Sequence, residues 1–253
     1  MKILIAPDSF KDALPALKVC EAIQRGILAA APNAEVRLFP LADGGEGTAE
    51  VLAWHLGGEM KECEVNDPLF RPVRAQFFLL PKGANGKMAF VEMAQASGLQ
   101  LLSPTERNPL KTSTFGTGEL ILEAMRKGTT EIYLAIGGSA TNDAGMGMAA
   151  ALGWRFLDEL GVELVPVGGN LSRVVSLKPP SHDLSLPKIT VLSDVTNPLF
   201  GPTGAAHVFA SQKGADAVAV KSLDNGLRHF SALVEKWSGQ DSSHEKSAGA
   251  AGG

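Results

Sequence analysis

Several charged side chains in this sequence sit where a short apolar run ends, the place where a carboxylate or an amine meets a ligand. Asp194 follows the run KITVLS, Lys188 to Ser193. An aspartate delivered there can accept the proton of a substrate hydroxyl or hold Mg²⁺, both of which phosphoryl transfer requires, or it can simply close an Asx turn. Asp43 and Glu46 bracket the glycine pair Gly44 and Gly45, and such paired carboxylates can hold a divalent cation or the hydroxyls of a polyol. Asp8, Ser9 and Lys11 form a loop after the apolar run Ile3 to Ala6, on the sheet edge where open α/β folds bind ligands. Lys213, in the polar turn Gln212 to Gly214, could neutralise a phosphate. Glu92 enters the turn that carries Gln95 and Ser97, either as a ligand group or as a cap.

A second set of residues offers backbone donors rather than charge. In EIYLAIGGSATNDAGMGMAAALG, Glu131 to Gly153, an apolar run ends at Gly137 and Gly138, and Ser139, Thr141, Asn142 and Asp143 follow before a small-residue run that reads as a helix. Peptide N–H groups gathered at such a turn, with a helix N-terminus behind them, suit a phosphate or carboxylate. Thr112, Ser113 and Thr114 with Gly116, Thr117 and Gly118 form a second possible anion cradle ahead of another helix. The plainer alternative at each turn is a glycine bend with a cap. Gly145, Gly147 and Ala150 fit a GxGxxA spacing, but inside the helical run rather than after the strand, which is a poor dinucleotide fingerprint. No GxxxxGK[ST] occurs, so phosphates would be held without a P-loop.

The elements expected to position these groups alternate strand and helix. Strands are expected at Ile3–Ala6, Val36–Leu41, Lys61–Val65, Val73–Leu80, Met88–Met93, Ile132–Ile136, Lys188–Ser193 and Ala206–Ala210. The turn at Asn66, Asp67 and Pro68 and the Asn85–Gly86 pair mark hairpins, so the sheet becomes mixed there, and a domain change is expected near Phe78 to Gly86. Helices are expected from Pro15 with a buried face of Ala16, Val19, Cys20, Ile23, Ile27 and Ala30; from Thr48 to His55; through Leu120, Ile121, Ala124 and Met125; and from Val220 to Trp237. Trp154 to Leu164 reads as a hairpin around Gly161, and Pro166 to Pro187 as surface loop.

Composition narrows the class of partner. At 253 residues and 45% hydrophobic, the chain can bury a real core. A net charge of −4 with no basic block argues against a nucleic-acid binder held by phosphate neutralisation and points to a small-molecule ligand. Two cysteines without CxxC spacing fit a reducing, cytoplasmic compartment. The apolar start ILIAP stops at strand length, unlike a signal peptide, and no run approaches the ~20 apolar residues of a membrane span. Oligomeric state is unknown at this level.

Taken together, seven motifs resemble the bacterial glycerate kinase family, the type without a P-loop. They are APDSFK from Ala6, ADGGEGT from Ala42, EMAQASGL from Glu92, RNPL from Arg107 with GTGEL from Gly116, IGGSATNDAG from Ile136, SDVTNPL from Ser193 and QKGA from Gln212. The chain departs from the family's NDGG at Ala144, from its CDVTNPL at Ser193, and from its PGAGAAGG at Lys246 and Ser247. The resemblance implies two α/β domains. One is flavodoxin-like, begun by residues 1–78 and completed by a segment that relatives carry beyond the glycine-rich 246–253; the other is built on a mixed sheet from residues 79–245. It implies transfer of the ATP γ-phosphoryl group to a hydroxyl of D-glycerate, with 2-phosphoglycerate the favoured product. In that reading Asp194 is the base or a Mg²⁺ ligand, and Lys11 and Arg107 hold the glycerate carboxylate beside Asp8, Ser9 and Glu92. Gly137, Gly138, Ser139, Thr141 and Asn142 cradle phosphates with Gly116, Thr117 and Lys213, and Asp43 and Glu46 bind metal or substrate hydroxyls. No membrane is implied. A ligand-binding fragment without turnover and a nicotinamide-dependent hydroxy-acid oxidoreductase are the alternatives.

Overall fold

The computed structural model describes residues 1–10, 13–42, 44–45, 47–81, 86–181 and 184–253. Lys11, Asp43, Glu46 and Asn85 lie outside the described residues. The architecture is mixed α/β, and its centre is a five-stranded sheet of order β3-β4-β5-β6-β9. β3 (Glu59–Asn66), β4 (Pro72–Pro81) and β5 (Lys87–Glu92) run antiparallel in sequence, whereas β5, β6 (Thr129–Ala135) and β9 (Lys188–Leu192) are parallel. Hairpin chemistry makes the first half: Asp67 accepts from the N–H groups of Leu69 and Arg71 and so closes the β3–β4 turn.

Helix covers both faces of the sheet's centre, which is why β4 and β5 carry apolar residues on both sides. Alternate residues sort to opposite faces. Phe77, Leu79, Ala89, Val91, Ile132 and Leu134 pack beneath α4 (Phe115–Arg126), through Leu120, Ile121 and Ala124. Phe78, Phe90, Tyr133 and Ala135 face the other way, against Ala49, Leu52 and Ala53 of α2 (Thr48–Leu56).

The N-terminal unit is built differently. β1 (Lys2–Ile5) and β2 (Glu35–Leu38) pair parallel in a separate two-stranded sheet beside α1 (Ala16–Ala30). Only Ala16, Val19 and Cys20 of α1 are buried; Ile23 and Ala30, expected on the same buried face, are exposed because two strands are too narrow to cover a helix of this length. The expected division near residue 78 falls inside β4, and the sheet changes instead at Gly57–Gly58, between α2 and β3.

A third layer gathers the rest of the chain. α5 (Met146–Ala151), α6 (Ala205–Phe209) and α7 (Ala217–Ser238) enclose Met146, Leu171, Val174, Leu223, Leu227 and Phe230. Two expectations are corrected here. Residues 206–209 belong to α6, with Ala210 as its C-cap, rather than to a strand, because Gly204 starts the turn and two alanines lead it. The stretch 166–187 is no plain surface loop: a 3-10 turn at Gly168–Arg173 lays Leu171 against Gly226 of α7, and β8 (Ser176–Lys178) pairs antiparallel with β7 (Arg155–Leu157). On α7, Val234 and Trp237 are exposed, with Trp237 set edge-on against Trp154.

Candidate active site

β6 and β9 are parallel neighbours, so their C-terminal ends open side by side. From β6 the chain passes into Ile136, Gly137, Gly138 and Ser139; from β9 it passes into Ser193, Asp194 and Val195. A cavity of about 760 Å³ lies over both ends. Its walls include Gly137, Gly138, Ser139, Asp194, Gln212 and Lys213, together with Gly44 and Gly45 from the β2–α2 loop. A Cβ placed on Gly137 would lie 3.9 Å from the Gly45 Cα, in van der Waals contact, so the two glycine turns lie side by side in the cavity wall.

The β6 turn is fixed from behind. Leu99 donates to the Gly138 carbonyl at 2.9 Å and Ala140 donates to the Ser97 carbonyl at 2.8 Å. Gly138 takes a left-handed φ of 74°, which costs a glycine nothing. No hydrogen bond among the described residues uses the N–H of Gly138 or Ser139. Those donors therefore remain for an anion at the cavity wall. Asp194 is exposed, and its carboxylate has no hydrogen-bond or ion-pair partner among the described residues.

Behind the turn lies a polar interior. Asp143 is buried and accepts from Thr114 N–H at 2.8 Å, Thr114 hydroxyl at 2.9 Å and Gly147 N–H at 3.1 Å. Burial pushes its carboxyl pKa up against those hydrogen bonds, and its Oδ1 has no partner. Lys213 is 2% exposed. Its ammonium donates to Ser139 Oγ at 2.7 Å, to the Thr141 carbonyl at 2.5 Å and to the Ala251 carbonyl at 2.6 Å. Desolvation lowers its pKa to about 7, with the Asp143 charge opposing that shift.

The residues singled out from the sequence divide into three groups. Gly137, Gly138, Ser139, Asp194 and Lys213 come together at the cavity. Thr141 and Asn142 lie beneath it: the Thr141 carbonyl accepts from Lys213, and the Asn142 amide donates to the Gly252 carbonyl. Arg107 is not a wall residue. It packs on the Lys213 turn, where a Cβ on Gly214 would meet the Arg107 carbonyl at 2.2 Å, and its buried Nε lacks a partner.

The remaining described candidates are elsewhere. Gly116 and Thr117 belong to the core: the Thr117 hydroxyl pairs with Ser97 Oγ at 2.7 Å, and a Cβ on Gly116 would lie 1.8 Å from the Asn66 carbonyl. The second cradle is corrected accordingly, since the anion bound by Thr114 is Asp143 itself. Glu92 is a cap, accepting from the N–H of Ala49 at 2.8 Å and of Gly47 at 3.3 Å at the start of α2. Asp8 and Ser9 bond each other in the loop after β1, through the Ser9 N–H and Asp8 Oδ1, and neither lines the cavity. Lys213 as a direct phosphate partner is also corrected, because all three of its protons point at protein oxygens.

Phe209, Gln212 and Ala251 are wall residues that the sequence did not single out. Gln212 adjoins the chosen lysine, whereas Phe209 and Ala251 carry no chemical mark of their own.

Comparison with known proteins places this arrangement. The glycerate kinase family profile matches residues 3–253. The chain belongs to the glycerate kinase family. Over its whole length it is 48% identical to a glycerate kinase of Bacillus subtilis and 43% identical to the glycerate 2-kinase of Escherichia coli. It spans 66% of the length of each of these relatives. A crystal structure assigned to glycerate kinase 2 of Salmonella typhimurium LT2 superposes with a TM-score of 0.85 at 43% identity, covering 100% of this chain and 67% of that one.

Proposed function

We propose that this chain carries the phosphoryl-transfer site of an ATP-dependent D-glycerate kinase. The observation that supports it most is the shared cavity at the ends of β6 and β9. It sets unengaged backbone donors at Gly138 and Ser139 on the same hollow as the free carboxylate of Asp194. Loose phosphoryl transfer needs positioning and charge stabilisation more than covalent help, which backbone amides and one carboxylate can supply.

In this reading the Gly137–Ser139 turn holds phosphate oxygens through its N–H groups. The glycerate hydroxyl oxygen forms a bond to the γ-phosphorus while the bond from that phosphorus to the ADP oxygen breaks. Asp194 takes the hydroxyl proton or serves as a ligand to Mg²⁺. One or two carboxylates plus phosphate oxygens are the usual protein share of a Mg²⁺ site, so a single strand-end aspartate fits the ion; among the described residues there is no larger acidic cluster. A bound Mg²⁺ would neutralise charge on the transferring phosphoryl group. Arg107, with its buried unpaired Nε, is the candidate for the glycerate carboxylate. The 2-hydroxyl is the favoured acceptor, in line with the glycerate 2-kinase among the relatives.

The N-terminal β1–α1–β2 unit opens a flavodoxin-like domain that the relatives' additional length completes, which accounts for Leu4 and Phe39 lying exposed on so small a sheet. In a version extended to the relatives' length, amide exchange across β1 should slow; unchanged exchange would remove this domain assignment. A cytoplasmic setting suits a chain with two free thiols that consumes ATP.

The kinase reading is tested by a coupled ADP-release assay with D-glycerate, with the product identified by phosphorus NMR. Glycerate-dependent ADP release supports it. ATP binding without release supports the ligand-binding alternative instead.

A further inference from the structure

We infer that Lys213 is a positioning residue: its buried ammonium ties the Ser139–Thr141 turn to the 249–252 segment and so sets the shape of the cavity wall without touching substrate. The geometry carries this. Nζ has three acceptors at hydrogen-bond distance, drawn from two segments far apart in sequence, Ser139 and Thr141 on one side and Ala251 on the other. Ser139 Oγ accepts from Lys213 and donates to the Ala251 carbonyl at 2.5 Å, and that carbonyl also accepts from Lys213, which closes a hydrogen-bonded ring of ammonium, hydroxyl and carbonyl. The Asn142 amide adds a parallel tie to the Gly252 carbonyl.

The strap is shaped for this contact. Gly252 has a φ of +103°, and a Cβ there would meet the Thr141 carbonyl at 2.4 Å and Lys213 Nζ at 2.7 Å. A lysine buried this far is a costly group unless its protons are all used, and here they are. On the far side of the turn Asp143 anchors the same loop through Thr114 and Gly147, and it is the charged group that acts on Lys213. The turn that presents Gly138 and Ser139 is thus held from both ends.

Loss of one proton from Lys213 would leave a ring acceptor unserved. Because the fold lowers its pKa from 10.5 to about 7, the unfolded chain holds a proton between those values that the folded chain does not. Global stability from this group therefore rises with pH across that window, while the strap loosens. A merely space-filling lysine would not separate those two responses.

The experiment is amide hydrogen exchange on the unmodified chain and on Lys213→Met and Gly252→Ala, corrected for intrinsic exchange. Lys213→Met should speed exchange in both 138–142 and 247–253 by about tenfold or more, with β6 unchanged within about twofold. Gly252→Ala, whose methyl would press on the Thr141 carbonyl and on Lys213 Nζ, should loosen 247–253 and, less strongly, 138–142. In the unmodified chain, raising the pH from about 6 to about 8.5 should loosen both segments while the urea midpoint rises. Should Lys213→Met prove unfolded, with β6 protection lost, the pH series on the unmodified chain decides. Unchanged exchange at both segments in Lys213→Met, or loosening of only one of them, overturns the assignment. Only a kinetic arm rests on the kinase reading: Lys213→Met should raise the KM for ATP more than it lowers kcat. If the unmodified chain shows no ADP release, that reading fails, and the exchange data still judge Lys213.

Discussion

Two glycine-bearing turns in this chain share residue types and differ in everything else. Gly116, Thr117 and Gly118 open α4, whereas Gly137, Gly138 and Ser139 close β6, and both stand beside hydroxyl residues as an anion cradle would. At the first turn the missing side chains are spaces already taken. A Cβ on Gly116 would sit 1.8 Å from the Asn66 carbonyl, and one on Gly118 would sit 2.5 Å from the Met148 carbonyl. At the second they are not taken: a Cβ on Gly137 would lie 3.9 Å from the Gly45 Cα and one on Gly138 3.4 Å from the Ala94 Cβ, both ordinary contacts. The difference lies in what packs on the turn. Glycine permits close approach of helix to helix in one place and of ligand to backbone in the other, and only the fold separates the two.

The sharpest way to break that comparison is Gly116→Ala. With a backbone carbonyl in the way, α4 must shift off β3, and the variant should lose about 3 kcal/mol of stability by urea denaturation. A midpoint equal to the parent's would mean the α4 turn is as open as the β6 turn. Next in size is Asp194→Asn, which should leave the denaturation midpoint alone, because that carboxylate is exposed and unpaired. If the kinase reading holds, kcat should fall by ~10²-fold. A normal kcat in a folded variant would make Asp194 a surface turn residue.

How much of this was legible beforehand depends on what sets each feature. Strands such as Ile132–Ala135 are written in consecutive apolar residues, and the β3–β4 hairpin is written in Asp67, whose carboxylate closes its own turn. α6 reads as a strand because AAHVF is a short apolar run without a period, and the packing of Ala205, Ala206 and Ala210 beside α7 decides it. The cavity wall was legible where backbone bends carry it, at Gly137, Gly138 and the end of β9. It was not legible where a side chain's use depends on neighbours distant in sequence. Glu92 is captured by amides of α2, Thr117 by Ser97, and Lys213 by carbonyls 72 and 38 residues away. A lysine's type says surface, and only tertiary structure can enclose it.

A smaller effect tests the same loop from the side of strain. Ala144 holds a left-handed φ of 52° immediately after Asp143. An alanine in that conformation costs about 1 kcal/mol, and a glycine costs part of that in unfolded-state entropy. Ala144→Gly should therefore stabilise the chain by about 0.5 kcal/mol, visible as a rise of about 1–2 °C in Tm. A fall in Tm would mean that its methyl group, packed at the edge of the α5–α7 core, is worth more than the relief of strain.

Gly137→Ala should have the least effect on stability and so completes the comparison with Gly116. Its φ is not in the left-handed region, and its added methyl would meet nothing closer than 3.9 Å, so the denaturation midpoint should stay within about 0.5 kcal/mol of the parent's. The methyl would instead stand on the cavity wall beside Gly45, next to the Gly138 and Ser139 N–H groups to which the kinase reading assigns phosphate oxygens. Titration of ATP into the purified variant should show Kd raised by about tenfold, the cost of displacing the anion by a fraction of an ångström from its N–H donors. Unchanged ATP affinity would move the phosphates away from this turn, while a lost midpoint would show that the open space is needed by the fold and not by the ligand.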